Sequence, residues 1–392
     1  MRSVFAAVLA VCLISLGSAV ASAQGVAASR YQEKKRETND ITVSIVVAGL
    51  TCTCARFAED IRNVVNDLRP DGLRVLPVLG VGGLQNLRDL LFLRGIDMGV
   101  VDQDTMTIIK KTDPALYANL EQRVQYITKL YNAEFHVLAR QEIKTFDDLR
   151  GKRVSFNLKD SQTHITADNI FNILGLEVVR SHHDNNQAIQ MLMAGELDAM
   201  IVLTGGPNSA LARLKKSDGL HFLPLDENSF TGQGLDKVYE EYLPAELTHD
   251  LYPGLVEKGQ PVPTVANRAL LAVYNWPENS ERYAKLEKFV GAFFSKIDEF
   301  NSPARHQKWK EINLAAEVPG WTRFKPAKDW LEGRKTLAVA SAAPEDDEKM
   351  KALFEKFIEM MAKSEGQRII SPRERDALFG QFRQFMAAQG AR

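Results

Sequence analysis

Charge of one sign is the first thing this sequence lacks. Lys and Arg number 49 against 50 Asp and Glu, a formal net charge of -1, so no field draws the chain to nucleic acid. Its small basic groups, Lys34–Arg36 and Lys215–Lys216, read as solvated surface. Cysteine is as scarce, three residues in 392, which excludes a disulfide framework. Absent too are a Walker-type Gly-Lys-Ser/Thr, the spaced glycines of a dinucleotide fingerprint, a Gly-x-Ser-x-Gly elbow and a His-Glu-x-x-His pair. Those absences remove the chemistries that one sequence can display. Ser161 has no identifiable base, and His136, His164, His182 and His183 are scattered without zinc spacing. The expectation is therefore no enzyme, no metal and no cofactor.

What is present begins with an address. MRSVFAAVLAVCLISLGSAVASAQ sets one Arg ahead of an apolar run, followed by small residues at Ala21 and Ala23. This is the layout of a cleavable signal peptide over residues 1–23, with cut before Gln24 and export to the periplasm; an uncleaved anchor is the other reading. Cleavage removes Cys12 and leaves Cys52 and Cys54. Three readings stand for that pair: a strained disulfide, a thiolate pair for a soft metal, or two small buried side chains. The third is preferred, because Cys packs well as a small hydrophobe.

With 45% hydrophobic and 25% charged residues, the remaining chain can build two domains with cores of their own. Residues 24–39 are polar. Ile41–Gly49 reads as a buried strand and Ala55–Leu68 as a helix, with Phe57, Ile61, Val64, Val65 and Leu68 in helical spacing. Leu73–Leu79, the loop Gly80–Gly83, helix Leu84–Leu93 and strand Met98–Val101 repeat the plan. A helical stretch at Pro114–Gln122 and strands Val124–Leu130 and Phe135–Ala139 follow. Asp147–Ala167 then reads as a helix end, a Gly151 turn, strand Arg153–Phe156, a polar loop and a helix starting near Ser161. Helix Thr166–Leu174, strand Leu176–Val179, helix Gln187–Ala194, strand Ala199–Leu203 and helix Asn208–Leu214 complete a second alternating set, which predicts a second parallel sheet. Val262–Tyr274 is another apolar β-rich run, and Ser280–Ser295 an amphipathic helix. Ser341–Glu348 is a linker by composition. Met350–Met361 and Arg373–Ala388 read as two amphipathic helices beyond it.

Open α/β sheets bind ligands beyond the carboxyl ends of their strands, where helix N-termini offer unpaired N–H groups and partial positive charge. Four loops qualify: Leu50–Arg56, Gly80–Asn86, Asn157–Thr163 and Thr204–Asn208, two in each half. They supply the candidate ligand-binding residues Thr51, Thr53, Arg56, Gly82, Gly83, Asn86, Asn157, Ser161, Gln162, Thr163, Thr204, Gly205 and Pro207. Asp102, just after the strand Met98–Val101, joins them as a group that could orient an ammonium or hydroxyl; capping the next helix is its other reading. Arg56 could pair bidentately with a ligand carboxylate, or could be an exposed helix residue.

Several stretches together resemble one family. GVGGLQNLRDL at Gly80–Leu90, IDMGVVDQD at Ile96–Asp104, DDLRGKRVSF at Asp147–Phe156, SQTHITADNIFNILGL at Ser161–Leu176, AGELDAMIVLTGGPNSAL at Ala194–Leu211 and VPTVANRALLAV at Val262–Val273 are similar in order and spacing to the TAXI-type solute-binding proteins of tripartite (TRAP) transporters. The resemblance implies an α/β, two-lobed periplasmic-binding-protein fold of type II-like form. Lobe I would span 24–137 with a return over 261–340, lobe II would span 138–260, and a C-terminal helical extension would occupy 341–392. It further implies a receptor that captures a small organic anion, an amino acid or carboxylate, and delivers it to TRAP-type permease subunits in the membrane. An interaction or sensory protein that kept the receptor fold is the second reading. Two loops depart from the family: Thr51-Cys52-Thr53-Cys54-Ala55-Arg56 replaces Gly-Gly-Thr-Tyr-Tyr-Pro, and Asp160-Ser161-Gln162-Thr163 replaces Gly-Ser-Gly-Thr.

Overall fold

Two long strands organise the chain, one with the bounds the sequence announces and one longer than it announces. In a computed structural model, β4 (Val124–Arg140) and β10 (Val262–Tyr274) run antiparallel. β4 is a single 17-residue strand, where two shorter ones are expected from the sequence. The structure describes residues 30, 33–34, 41–67, 72–333 and 354. The expected signal peptide, the linker and, apart from Phe354, both C-terminal helices lie outside the described residues. Contacts divide the chain into Met1–Ala327 and Lys328–Arg392, and the fold below is that of the first unit.

β1 (Thr42–Val47), β2 (Arg74–Leu79) and β3 (Met98–Asp102) are parallel and lie on one side of β10. β7 (Ala199–Thr204), β5 (Arg153–Ser155) and β6 (Val179–Ser181) lie on the far side of β4. The order is β2-β1-β3-β10-β4-β7-β5-β6; β8 (Leu220–Phe222) adds to β4 and β9 (Leu243–Leu247) to β10. The α/β class therefore holds, but the expected second parallel sheet is corrected: one mixed ten-stranded sheet joins both halves. β4 and β10 pass through both halves and supply the antiparallel pairing that a strict βα alternation lacks.

Local chemistry explains the elements that reach the centre. β1 reads TVSIVV, β-branched and almost wholly buried. Helix α1 (Thr53–Val65) buries Phe57, Ala58, Ile61, Val64 and Val65 along one stripe. Helices α2 (Gly83–Phe92), α3 (Thr105–Thr112) and the short α4 (Leu120–Arg123) follow it in the first half. In the second half, α5 (Gln162–Leu174) is capped by Ser161, whose hydroxyl accepts the His164 N–H, and stops at left-handed Gly175. Asp184 caps α6 (Asn185–Met193) in the same way. α7 (Leu235–Glu241) follows, and after β10 the helix α8 (Glu281–Ser295) packs on β1 and α1 of the first half. The expected helix Asn208–Leu214 is only a 3-10 turn at Leu211–Arg213. Each half keeps its own apolar cluster, one around Leu87, Ile109 and Leu270, the other around Leu138, Leu211 and Tyr252. Ile165 of α5 packs into the first half's cluster, so the apolar core itself crosses the divide.

Candidate functional site

The divide between the halves encloses a cavity of about 140 Å³. Ala48, Gly49, Thr51, Cys52 and Val81 line it from the first half, with Asn157, Ser161, Gln162, Thr163, Thr204 and Asn208 among those from the second. Six of the fourteen expected site residues line it directly: Thr51, Asn157, Ser161, Gln162, Thr163 and Thr204. Three helices begin at its wall, because Cys52, Ser161 and Asp184 are the N-caps of α1, α5 and α6. No Lys or Arg is among its described lining residues.

The remaining expected residues sit around the cavity in distinct ways. Thr53 is buried beneath it and grips the opposite half: its hydroxyl donates to the Gly205 carbonyl at 2.5 Å, and its N–H reaches the Thr204 hydroxyl at 3.4 Å. Gly205 has no room for a side chain, since a β-carbon there would lie 2.9 Å from the Tyr131 ring. Pro207 follows a cis peptide bond in the loop from Gly205 to Asn208. Gly82 and Gly83 hold positive φ at the start of α2, where Gly83 lies against the Ser161–Gln162 backbone. Asn86 is fully buried and spent on the scaffold, its amide donating to the Val46 and Val100 carbonyls while its oxygen accepts the Gly82 N–H.

Arg56 is placed elsewhere, so its expected role as charge partner in the cleft is corrected. Its guanidinium, 43% exposed, pairs with Glu59 at 3.0 Å and Asp60 at 3.5 Å and donates to the Ala304 carbonyl at 2.8 Å. The i,i+3 and i,i+4 carboxylates on its own helix capture it. The preferred reading of the cysteines is corrected as well: Cys52 and Cys54 form a disulfide across Thr53.

Sequence reasoning also missed the neighbours that complete the wall. Asn185 bridges the halves, accepting from the Asn157 amide at 2.6 Å and donating to the Thr51 hydroxyl at 3.3 Å. Asn208 donates to the Thr51 carbonyl at 3.1 Å. Both follow strand ends, which was the available signal. Facing the first half, the Gln162 side chain accepts from the Thr105 hydroxyl (2.7 Å) and the Asp102 N–H (3.3 Å). Its amide donates to Asp104 at 2.8 Å and Thr166 at 3.0 Å. Asp104 also accepts from Thr166 and Tyr242. Burial raises the Asp104 carboxyl, and these hydrogen bonds pull it part of the way back. Asp102 is raised well above its ordinary value, by burial and then by the neighbouring Asp104. A larger groove of about 600 Å³ lies beside Asp104, where Lys110 and Lys111 face Glu121, Glu240 and Glu241, a mixture that selects no sign of charge.

Beneath the Gly205–Asn208 loop a second polar network fixes its height. Glu134 accepts the Gly206 N–H at 2.8 Å and pairs with the buried Lys308. His136 Nδ1 lies 2.8 Å from the Glu134 carbonyl and 3.1 Å from that of Val202. Carbonyls only accept, so this nitrogen carries the proton and Nε2 accepts from the Tyr252 hydroxyl at 2.7 Å. The Tyr252 oxygen in turn accepts the Asn208 N–H at 2.9 Å. Burial pushes the His136 pKa down to about 4, against an ordinary value near 6.5. Between those two values the unfolded chain holds a proton that the folded chain refuses. Stability contributed by neutral His136 is therefore complete above the ordinary pKa, falls as pH drops toward 4 and levels off below it, for a loss on the order of 3 kcal/mol. His136→Gln should remove much of this component from urea midpoints measured between pH 7 and pH 4; an unchanged pH slope would refute the assignment.

A mixed α/β fold whose two halves share one sheet and close on a polar cavity is the class that these features define. The model of the NMT1-like family matches residues 79–319, more than half of the chain, and the chain belongs to that family. Among solved structures, one described as a periplasmic transporter is 12% identical, with a TM-score of 0.43, covering 78% of this chain and 97% of its own. The ligand-binding component of an ABC-type import system from Staphylococcus aureus, with zinc bound, is 10% identical, with a TM-score of 0.41 and coverages of 67% and 75%. The regulatory domain of CcmR from Synechocystis PCC6803, in complex with 2-PG, is 13% identical, with a TM-score of 0.39 and coverages of 64% and 96%.

Proposed function

We propose that this chain is a non-enzymatic, extracytoplasmic solute receptor that holds a small polar solute between its two halves. The observation that carries the reading is the cavity of about 140 Å³ with three helix N-termini at its wall and no Lys or Arg among its described lining residues. The α1 and α5 termini each favour an anionic contact by about 0.3–1 kcal/mol, and by up to ~2 kcal/mol when partly buried, whereas the α6 terminus is already capped by the Asp184 carboxylate in the same wall. Amides and hydroxyls of Thr51, Asn157, Thr163 and Asn185 supply orientation. The volume is below the ~300–1,000 Å³ of pockets for drug-sized ligands, which favours a solute of few atoms, a short carboxylate or small amino acid. The family membership supports a solute receptor, and delivery to a TRAP-type permease rests on the resemblance of the sequence to TAXI-type proteins alone.

A thermal-shift screen of amino acids and short organic acids tests this, since a ligand bound only by the folded state raises the melting temperature by mass action. Asn157→Ala should abolish the response of the best solute, and Arg56→Ala should leave it intact. The opposite ranking would remove the cavity as the binding site.

One observation favours the second reading, a receptor fold used to signal to a protein partner. The halves are joined by the protein's own groups: the Leu84 N–H at the start of α2 donates to the Asp160 carbonyl at 3.1 Å, and Arg88 pairs with the Asp160 carboxylate at 2.9 Å. A receptor that closes on itself needs less from a solute. No shift across the screen, together with capture of a periplasmic or membrane partner, would support this alternative.

A further inference from the structure

At the Cys52–Cys54 disulfide the cavity wall, a helix start and a grip between the halves coincide. Cys52 is half-buried, lines the cavity and is the N-cap of α1, while Cys54 is one turn-step inward and only 4% exposed. Each sulfur already accepts a backbone N–H, Cys52 from Cys54 at 3.1 Å and Cys54 from Ala48 at 3.2 Å. Such N–H groups, and the positive end of a helix, stabilise a thiolate. The ring closed by the two sulfurs contains Thr53, the residue that holds Gly205 and Thr204 of the other half.

We propose that this pair is a thiol–disulfide exchange site, entered from the cavity, for low-molecular-weight thiols and disulfides of cysteine size. A thiolate attacks the sulfur of Cys52, the half-buried cysteine among the residues that line the cavity. The S–S bond breaks, a mixed disulfide forms on Cys52, and the electron pair leaves on Cys54 as a thiolate held by the Ala48 N–H. A second thiolate then attacks the sulfur of the bound thiol, releasing the small disulfide and leaving Cys52 as a thiolate beneath the Cys54 N–H. Two thiols are oxidised to one disulfide and the protein disulfide is reduced to a dithiol; cystine reverses both steps. Reduction also opens the ring around Thr53 and removes the covalent restraint on the loop that clasps Thr204 and Gly205. The inference does not depend on which solute the cavity holds.

The test uses the full chain in native buffer with cysteine and cystine as probes, read by peptide mapping that separates Cys12 from the pair. Cys54→Ser protein given cystine should acquire a cysteinyl adduct on Cys52, and Cys52→Ser protein should leave Cys54 unmodified until it is unfolded. In the unmutated chain, titration with cysteine/cystine mixtures should convert the disulfide reversibly without loss of fold, with the transient adduct on Cys52. Hydrogen exchange at Thr53 and Gly205 should rise on reduction by at least tenfold. Equal labelling of both cysteines, reduction that requires unfolding, or free thiols at both positions in the oxidised native protein would each overturn the proposal.

Discussion

Lys308→Met should lower stability by about 3–5 kcal/mol, a fall in the urea midpoint at unchanged slope. The side chains of Lys308 and Glu134 are each only 6% exposed. Burial pushes the Glu134 carboxyl up, and the charge and hydrogen bond of Lys308 work against that rise. Burial would lower the Lys308 ammonium, but Glu134 and Glu311 outweigh it and its pKa is raised. Removing the cation leaves the buried carboxylate beneath the Gly205–Asn208 loop without its direct partner, with Lys129 as a weaker coulombic neighbour. The double change Glu134→Gln with Lys308→Met should recover most of the loss, because the Gly206 N–H keeps an acceptor and neither member of the buried pair is charged. A cost under about 1 kcal/mol for the single change would mean that Glu134 is already neutral, and that the pair does not hold the loop.

Gly83→Ala should separate the halves. A β-carbon at this residue would stand 2.5 Å from the Gln162 nitrogen and 2.7 Å from the Ser161 carbonyl carbon, backbone atoms that no rotamer change can move. Its φ of +55 adds about 1–2 kcal/mol for any side chain. Together these should break the Leu84–Asp160 hydrogen bond and the Arg88–Asp160 pair. The measurable results are a larger radius of gyration, faster exchange at Leu84 and Gln162, and a solute affinity reduced at least tenfold. Gly82→Ala is the comparison: its β-carbon would meet the Ala48 side chain at 3.1 Å, within the same half, so the halves should stay together even though the fold is weakened. Equal compactness of the two variants would show that Gly83 does not set the contact.

The sequence announces the parts of this site that depend on local pattern. β-branched runs flanked by loops place β1, β2, β3 and β7 to within a few residues, and the four loops beyond strand ends do meet at the cavity. What escapes is whatever depends on distant partners. Val124–Arg140 reads as two strands because Tyr131, Asn132 and Glu134 interrupt its apolar run; the interruption exists because Glu134 meets Lys308, 174 residues away. Arg56 misleads for the opposite reason. Its partners, Glu59 and Asp60, stand in helical spacing on the same helix and were visible, yet a cation beside a helix start invites a ligand reading. Asp160 turns out to serve the protein itself, its carbonyl occupying an N–H at the start of α2 and its carboxylate occupying Arg88. No composition rule distinguishes that from a group facing a solute.

The long antiparallel pair of β4 and β10 also sets how the chain connects the two halves. The chain leaves the first half along β4 and returns along β10, and Glu134 and Ala266 are register partners where the path crosses. Partners in such a pair have Cα atoms only about 4.5–5.5 Å apart. The 131 residues between them begin and end at neighbouring points, so the second half has the form of an insert carried at the end of a hairpin. A short turn from Glu134 to Ala266 would excise it without stretching the first half, whereas a cut at any single peptide bond between them leaves both halves in two pieces.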